Sequence, residues 1–202
     1  MRRRLDLDRP VAIDLLRASL EIALQAPNGA DEQSWRWIIV TDATQRERIG
    51  ELYGRTNAAF AANIRELAES GDLGAQRTLA SSGVFWDHLE RVPALIVAAF
   101  KPPQWFDGSN YALASSFGSV FPAVWNLQLA LRLHGLGSCL MTAQLREERE
   151  MAAILELPDD LRQVALIAVG HLLGDRFQRA PRRPLDEVMR FDRWSEEPTH
   201  GG

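Results

Sequence analysis

Cysteine is nearly absent from this chain, and the absence narrows its chemistry. Cys139 is the only one in 202 residues. A single thiol builds neither a disulfide framework nor a multi-cysteine metal centre within one chain. Histidine is scarce too. His88, His134, His171 and His200 are the full set, and no two of them stand at the local spacing of a metal site. Long apolar runs are missing: Val92–Phe100 is among the longest and is too short to cross a bilayer. The basic start, Met1-Arg2-Arg3-Arg4, runs into Leu5-Asp6-Leu7-Asp8 and not into the apolar stretch of a secretory signal. The expected location is therefore cytoplasmic, with no membrane partner. A net charge of -4 offers no basic field for nucleic acid. Ser138 lacks a G-x-S-x-G elbow around it. Gly135-Leu136-Gly137 is a fragment of a dinucleotide fingerprint, but it follows a helical stretch instead of a strand, which argues against a Rossmann fold.

What is present describes one globular domain. Hydrophobic residues make up 46% and charged residues 25%, and no repeat or linker interrupts residues 1–202. Pro10 is placed to open a helix, and Ile13, Leu16, Leu20, Ala23 and Leu24 recur on one face of it, up to the break at Pro27-Asn28-Gly29. Trp35–Thr41 reads as a strand. Asp42 or Thr44 caps a following helix that carries Ile49, Leu52 and Tyr53. The stretch from Arg55 to Ala80 is expected to be helical in part. Val92–Phe100 reads as a buried strand, and Lys101–Asn110 as a loop.

Ala112–Leu133 is the strongest helix, apolar around most of its circumference, as expected of a helix buried between subunits. Pro122 either kinks it or marks its true start, and Gly135 caps its end. Leu136–Thr142 is expected to be extended, Gln144–Leu155 helical, and Gln163–Val169 a strand ending at Gly170. The last 32 residues, about 171–202, are rich in Arg, Pro and Asp without a periodic core pattern, and read as a tail that packs on a second copy.

Several side chains are candidates for chemistry on their own terms. Arg179, Arg182 and Arg183 cluster late in the chain, and Arg2, Arg3 and Arg4 at its start. Such forks suit a phosphate, although a charge run by itself is equally a solvated face. Cys139 lies in an apolar segment, where a free thiol is usually a small core residue. Asn126 and Gln128 are amides that must find bonds inside a buried helix. Trp35 and Trp37 read as core aromatics, while Trp105 and Phe106, on a loop, are candidates for a substrate lid.

Four segments, in order, together resemble the nitroreductase family of flavoenzymes. They are Ala26–Trp35, similar to A-P-S-x-x-N-x-Q-P-W; Phe121–Ala130, similar to a central helix with Leu-x-Leu-Ala; His134–Thr142, similar to a G-L-G segment; and Ala168–His171 with Pro181–Val188, similar to a strand-Gly ending and a late basic R-x-P-L-x-E-V segment.

The resemblance implies an α+β fold: a mainly antiparallel mixed sheet flanked by helices, with a long central helix at the interface of a homodimer. It implies FMN as cofactor and NADH or NADPH as electron donor. A small-molecule electron acceptor, a nitroaromatic, a quinone or a similar electrophile, is then reduced in a ping-pong cycle with the chemistry at flavin N5. It further implies that Arg3 with Arg182 or Arg183 holds the phosphate. Pro27, Asn28, Gly29 and Asp31 pass near the flavin, and Leu140, Met141 and Thr142 lie against its ring. Two positions depart from the pattern. The family's first N-terminal Arg would precede Met1, so a phosphate ligand is lost or lies upstream. Asp31 replaces an Asn, and an ionised carboxylate accepts but does not donate. These departures leave room for a weakly flavin-binding, non-enzymatic relative. A reductive dehalogenase or flavin-fragmenting relative is a third reading.

Overall fold

A computed structural model describes residues 4–174 and 180–194. At its centre lies β3, Ala94–Phe100, with all seven residues buried. An unbroken run of Ala, Leu, Ile and Val is what a strand covered on both faces requires. One edge of β3 pairs antiparallel with β2, Trp35–Val40, from Trp35 opposite Phe100 to Val40 opposite Leu95. The other edge pairs antiparallel with β5, Arg162–Leu172. The far edge of β5 takes β4, Leu136–Met141. A short β1, Leu5–Asp6, pairs with Leu172 and His171. His171 already faces Leu136 on its β4 side, so β1 lies on the other edge of β5, in line with β3. Every pairing among the described residues is antiparallel.

Strand alternation divides the core into two halves. Ala94, Ile96, Ala98 and Phe100 face α1, Ile13–Ala23, and α4, Asn110–Leu133, where Leu16, Ala23, Leu127 and Leu131 cover them. Leu95 and Val97 face the opposite way. They meet Ile49 and Leu52 of α2, Ala43–Glu69, Phe85 of α3, Leu73–Asp87, and Met151 of α5, Glu148–Ile154. Burying a Leu or Ile completely contributes about 1.5–3 kcal/mol. A last turn, α6, Leu185–Val188, lies in the tail with no buried residue. Among the described residues no helix is long and apolar enough to cross a membrane.

Local chemistry sets the helix ends. Of the two cap candidates it is Asp42 that acts: the Gln45 N–H donates to its Oδ1 at 2.9 Å. Asp72 does the same for α3, from the Ala75 N–H at 2.6 Å, and the Ser109 hydroxyl caps α4. Past the end of α4 the chain turns through Gly135 at φ +74°, where a side chain would be strained.

Two expectations are corrected and one alternative, Pro122 as the start of α4, is excluded. Pro122 lies well inside α4 and does not start it; tight packing of Val120, Ala123 and Val124 carries the helix through it. The stretch 144–155 is divided: Ala143–Glu147 is a 3-10 turn and only Glu148–Ile154 is α-helix. β5 does not stop at Gly170. It continues to Leu172 because β1 docks there, and the missing side chain of Gly170 admits Leu5 Cβ and the Asp6 carbonyl. The apolar circumference of α4 is covered on one side only by the described residues of the single chain. Phe121, Trp125, Leu129 and Leu133 form an exposed stripe at four-residue spacing, with Trp125 55% and Leu133 81% exposed.

Candidate active site

Two clefts contain the candidate residues, one on each face of the sheet. The first opens where β4 ends, beneath the hairpin of α2 and α3, and has a volume of about 320 Å³. That is the range of small-molecule and cofactor sites. Its floor is Cys139–Ala143, which contains the predicted Leu140, Met141 and Thr142. Its roof comes from α2 through Tyr53, Asn57 and Phe60, and from α3 through Ser82 and Trp86. The Phe60 and Trp86 rings meet edge to face at 5.8 Å. Arg146 closes one side, its Nη1 donating to the Thr56 carbonyl at 2.8 Å and tying the turn after β4 to α2.

Asn57 is the informative residue. It is 6% exposed, and its Nδ2 has no hydrogen-bond partner among the described residues. A buried donor left unpaired costs about 1–3 kcal/mol. A ligand carbonyl in the cleft would relieve that cost. Gln144, two residues past Thr142, is fully buried with both amide atoms unpaired among the described residues.

The second cleft lies against α4 and is lined by Gly29, Ala30, Glu32, Ser34, Trp105, Tyr111 and three serines of α4. The Gly29 N–H donates to Ser119 Oγ at 3.0 Å, and the Gln33 N–H to Asn28 Oδ1 at 3.0 Å. Ala30, Asp31 and Gln33 all have φ near +50°. Left-handed non-glycine residues cost roughly 1 kcal/mol each, and such strain gathers at functional sites. The Asp31 carboxylate turns to neither Arg36 nor open solvent alone: Gln33 Nε2 donates to it at 2.9 Å. Arg36 instead donates to the Trp35 and Gln33 carbonyls. Trp105, the loop aromatic singled out above, donates from Nε1 to Glu32 at 3.4 Å and packs on Tyr111 at 5.6 Å. Nearby, the Ser109 hydroxyl and N–H hold the Asp107 carboxyl below the usual carboxylate range.

The predicted residues thus fall into separate groups within one chain. Leu140, Met141 and Thr142 line the first cleft. Gly29 lines the second, with Asn28 and Asp31 bracing its rim and Pro27 exposed beside it. Arg182 and Arg183 are exposed in the tail and line neither cleft; Arg182 donates to the Pro181 carbonyl. Arg3 lies outside the described residues, as does Arg179. Its neighbour Arg4 is fixed through its carbonyl, which accepts from the Leu173 N–H at 3.0 Å.

Asn57, Trp86 and Arg146 were not foreseen. Tyr53, Asn57 and Phe60 do share one helical face by their spacing, so an amide on that face was a readable clue. Gln128, by contrast, satisfies the expectation of a bonded amide: its Nε2 donates to Ser138 Oγ at 3.2 Å. Cys139 is buried, as expected of a core thiol.

The family model for the nitroreductase family matches residues 2–171. The chain belongs to that family. As a family member it resembles an iodotyrosine deiodinase of Thermotoga neapolitana, 29% identical over 93% of this chain and 89% of the relative. It also resembles an NADH dehydrogenase of Thermus thermophilus, 30% identical over 89% of this chain and 86% of the relative. Among solved structures, an oxidised iodotyrosine deiodinase bound to FMN and 3-iodo-L-tyrosine superposes with a TM-score of 0.70 at 26% identity, covering 96% of this chain and 95% of that one. An FMN- and NADPH-dependent nitroreductase superposes with a TM-score of 0.67 at 21% identity, a likeness of fold.

Proposed function

We propose that this nitroreductase-family chain is an FMN-dependent oxidoreductase. On this reading it draws electrons from NADH or NADPH and passes them to a nitroaromatic, quinone or similar electrophile in a ping-pong cycle. The observation that carries the reading is the unpaired Asn57 amide, buried in a cleft whose floor is Leu140–Thr142. An amide offers one donor edge and one acceptor edge, the complement of the carbonyl and N–H groups on a flavin's pyrimidine ring. FMN, when bound, supplies a centre that accepts and releases a hydride, which is why no acid–base triad is required of the protein.

The chain's own residues then bind and orient. Asn57 reads the polar edge of the ring, and Met141 and Thr142 back it. The apolar roof of Phe60 and Trp86 excludes water. Arg3, with Arg182 or Arg183, neutralises the phosphate.

The same reading makes the molecule a homodimer. The stripe Phe121, Trp125, Leu129 and Leu133 is an apolar face that none of the described residues covers. A second copy packed there would bring Asn28–Asp31 of one protomer toward the first cleft of the other, uniting groups that one chain keeps apart. The tail, with Leu185, Val188, Phe191 and Trp194 exposed, would wrap the same partner.

Steady-state kinetics with NADH and a quinone test the cycle. Parallel double-reciprocal lines are expected, and intersecting lines would contradict it. A second reading, reductive removal of halide from a halogenated phenol, is favoured by the similarity to the two deiodinases. Release of halide from an iodophenol at a rate matching nitroaromatic reduction would move the conclusion to it.

A further inference from the structure

The lining of the first cleft is electrostatically one-sided. Among the described residues Arg146 is its only charged side chain, and no described carboxylate lines it. Among the described residues the guanidinium makes one hydrogen bond, from Nη1 to the Thr56 carbonyl, so Nε and Nη2 keep their donors. Two acids, one on α5 and one on α3, are engaged elsewhere. Glu150 is paired with Arg55, which that contact holds above its ordinary value. Asp87 accepts both bonds from Arg65, whose guanidinium covers the outer side of the Trp86 ring at 5.8 Å. Part of the remaining wall is aromatic, with Phe60 set edge-on to Trp86, and part is polar and uncharged, from Asn57, Thr78 and Ser82.

Resting on the flavin-dependent reading above, we infer that this cleft selects planar aromatic acceptors that are neutral or anionic over cationic ones, and that Arg146 sets the preference. Aromatic walls favour a flat, apolar body. A fork of unused guanidinium donors favours a carboxylate, phenolate or nitro oxygen on its edge. A cationic acceptor would bring like charges together, and none of the described lining residues of the chain itself is an acid that would offset them. For a nitroarene each turnover is Ar–NO2 + NAD(P)H + H+ → Ar–NO + NAD(P)+ + H2O. The nicotinamide supplies the hydride, water supplies the proton, and one N–O bond is broken with its oxygen leaving as water. The charge sits on a ring substituent that takes no part in that balance; its electronic pull on the nitro group is the same in every variant and favours the cation, so an order that puts the anion first, and its change on replacing Arg146, report recognition.

The test uses the flavin-loaded protein and three acceptors of similar size: 4-nitrobenzoate, 4-nitrobenzyl alcohol and (4-nitrobenzyl)trimethylammonium. The expected kcat/KM falls in that order, with the anion about tenfold above the cation, the size of one charge-assisted bond at a partly exposed site. Arg146→Gln is expected to flatten the order, and Arg146→Lys to keep most of it. Benzoate, which cannot be reduced, provides a second readout: by calorimetry on the protein as purified it binds about tenfold more weakly to Arg146→Gln. A flat or reversed order in the parent protein would overturn the inference. So would an Arg146→Gln protein that melts like the parent and keeps the order, or equal benzoate affinities in the two. If Arg146→Gln does not fold, the parent order and Arg146→Lys decide. A protein without flavin that reduces none of the three overturns the proposed function instead, and the benzoate comparison still decides the role of Arg146.

Discussion

Replacing Gly170 by alanine tests how β1 is held, and with it the placement of the N-terminal arginines. An alanine Cβ at this position would lie 3.1 Å from Leu5 Cβ, 3.3 Å from the Asp6 carbonyl oxygen and 3.4 Å from Pro93 Cγ. None of these is the tip of a flexible side chain. Leu5 is 4% exposed, and β1 is only two residues long, so the strand must shift as a unit. Its ties to β5 are the pairings Leu5–Leu172 and Asp6–His171, extended by the bond from Leu173 N–H to the Arg4 carbonyl. Overpacking of this kind costs about 1–3 kcal/mol. In a domain of this size each kcal/mol lowers Tm by about 2–4 °C, so a fall of roughly 2–12 °C is expected in a thermal melt. Since Arg3 and Arg4 adjoin the displaced strand, flavin affinity should fall as well. A Gly170→Ala protein that melts at or above the parent temperature would refute the argument that the absent side chain is what lets β1 dock.

Other perturbations have definite outcomes. Leu127→Ala removes a fully buried side chain from between α4 and the sheet and should cost about 2–5 kcal/mol by urea denaturation, with the slope unchanged. Asp42→Ala deletes the α2 cap and should cost about 1 kcal/mol, while Asp42→Asn should restore most of it. Asn57→Leu should weaken FMN binding about tenfold in a fluorescence titration while leaving Tm near the parent value, because the amide it replaces is unpaired. Leu129→Asp in the exposed stripe of α4 should shift sedimentation toward a monomer, and a parent protein that is itself monomeric would contradict the dimer.

The elements that the sequence displays plainly are those whose partners are close or interchangeable. The apolar run ending at Phe100 announces a strand covered on both faces whatever covers it, and β3 is that strand. Asp42 and Asp72 sit where a cap must sit, although only the first was foreseen. The features that escaped depend on contacts distant in sequence. β5 outruns Gly170 because Leu5 and Asp6, more than 160 residues earlier, pair with its end. Asn57 and Arg146 face one cleft from elements about 90 residues apart, and no local spacing connects them. Leu140–Thr142 was located by family resemblance, and the cleft at the end of β4 gives those residues a physical setting. The opposite holds for Arg182 and Arg183. Their pattern resembles a phosphate grip, yet within one chain they meet neither cleft, and the Arg182 guanidinium donates to its own neighbour's carbonyl at Pro181.

The central claim is that Asn57 and Leu140–Thr142 form the wall of a flavin site. A visible spectrum of the purified protein, taken anaerobically before and after NADH or NADPH is added, tests it most directly. The account predicts bands at about 370 and 450 nm that bleach on reduction and return when a quinone is admitted. A colourless protein that acquires neither band after incubation with FMN would contradict it.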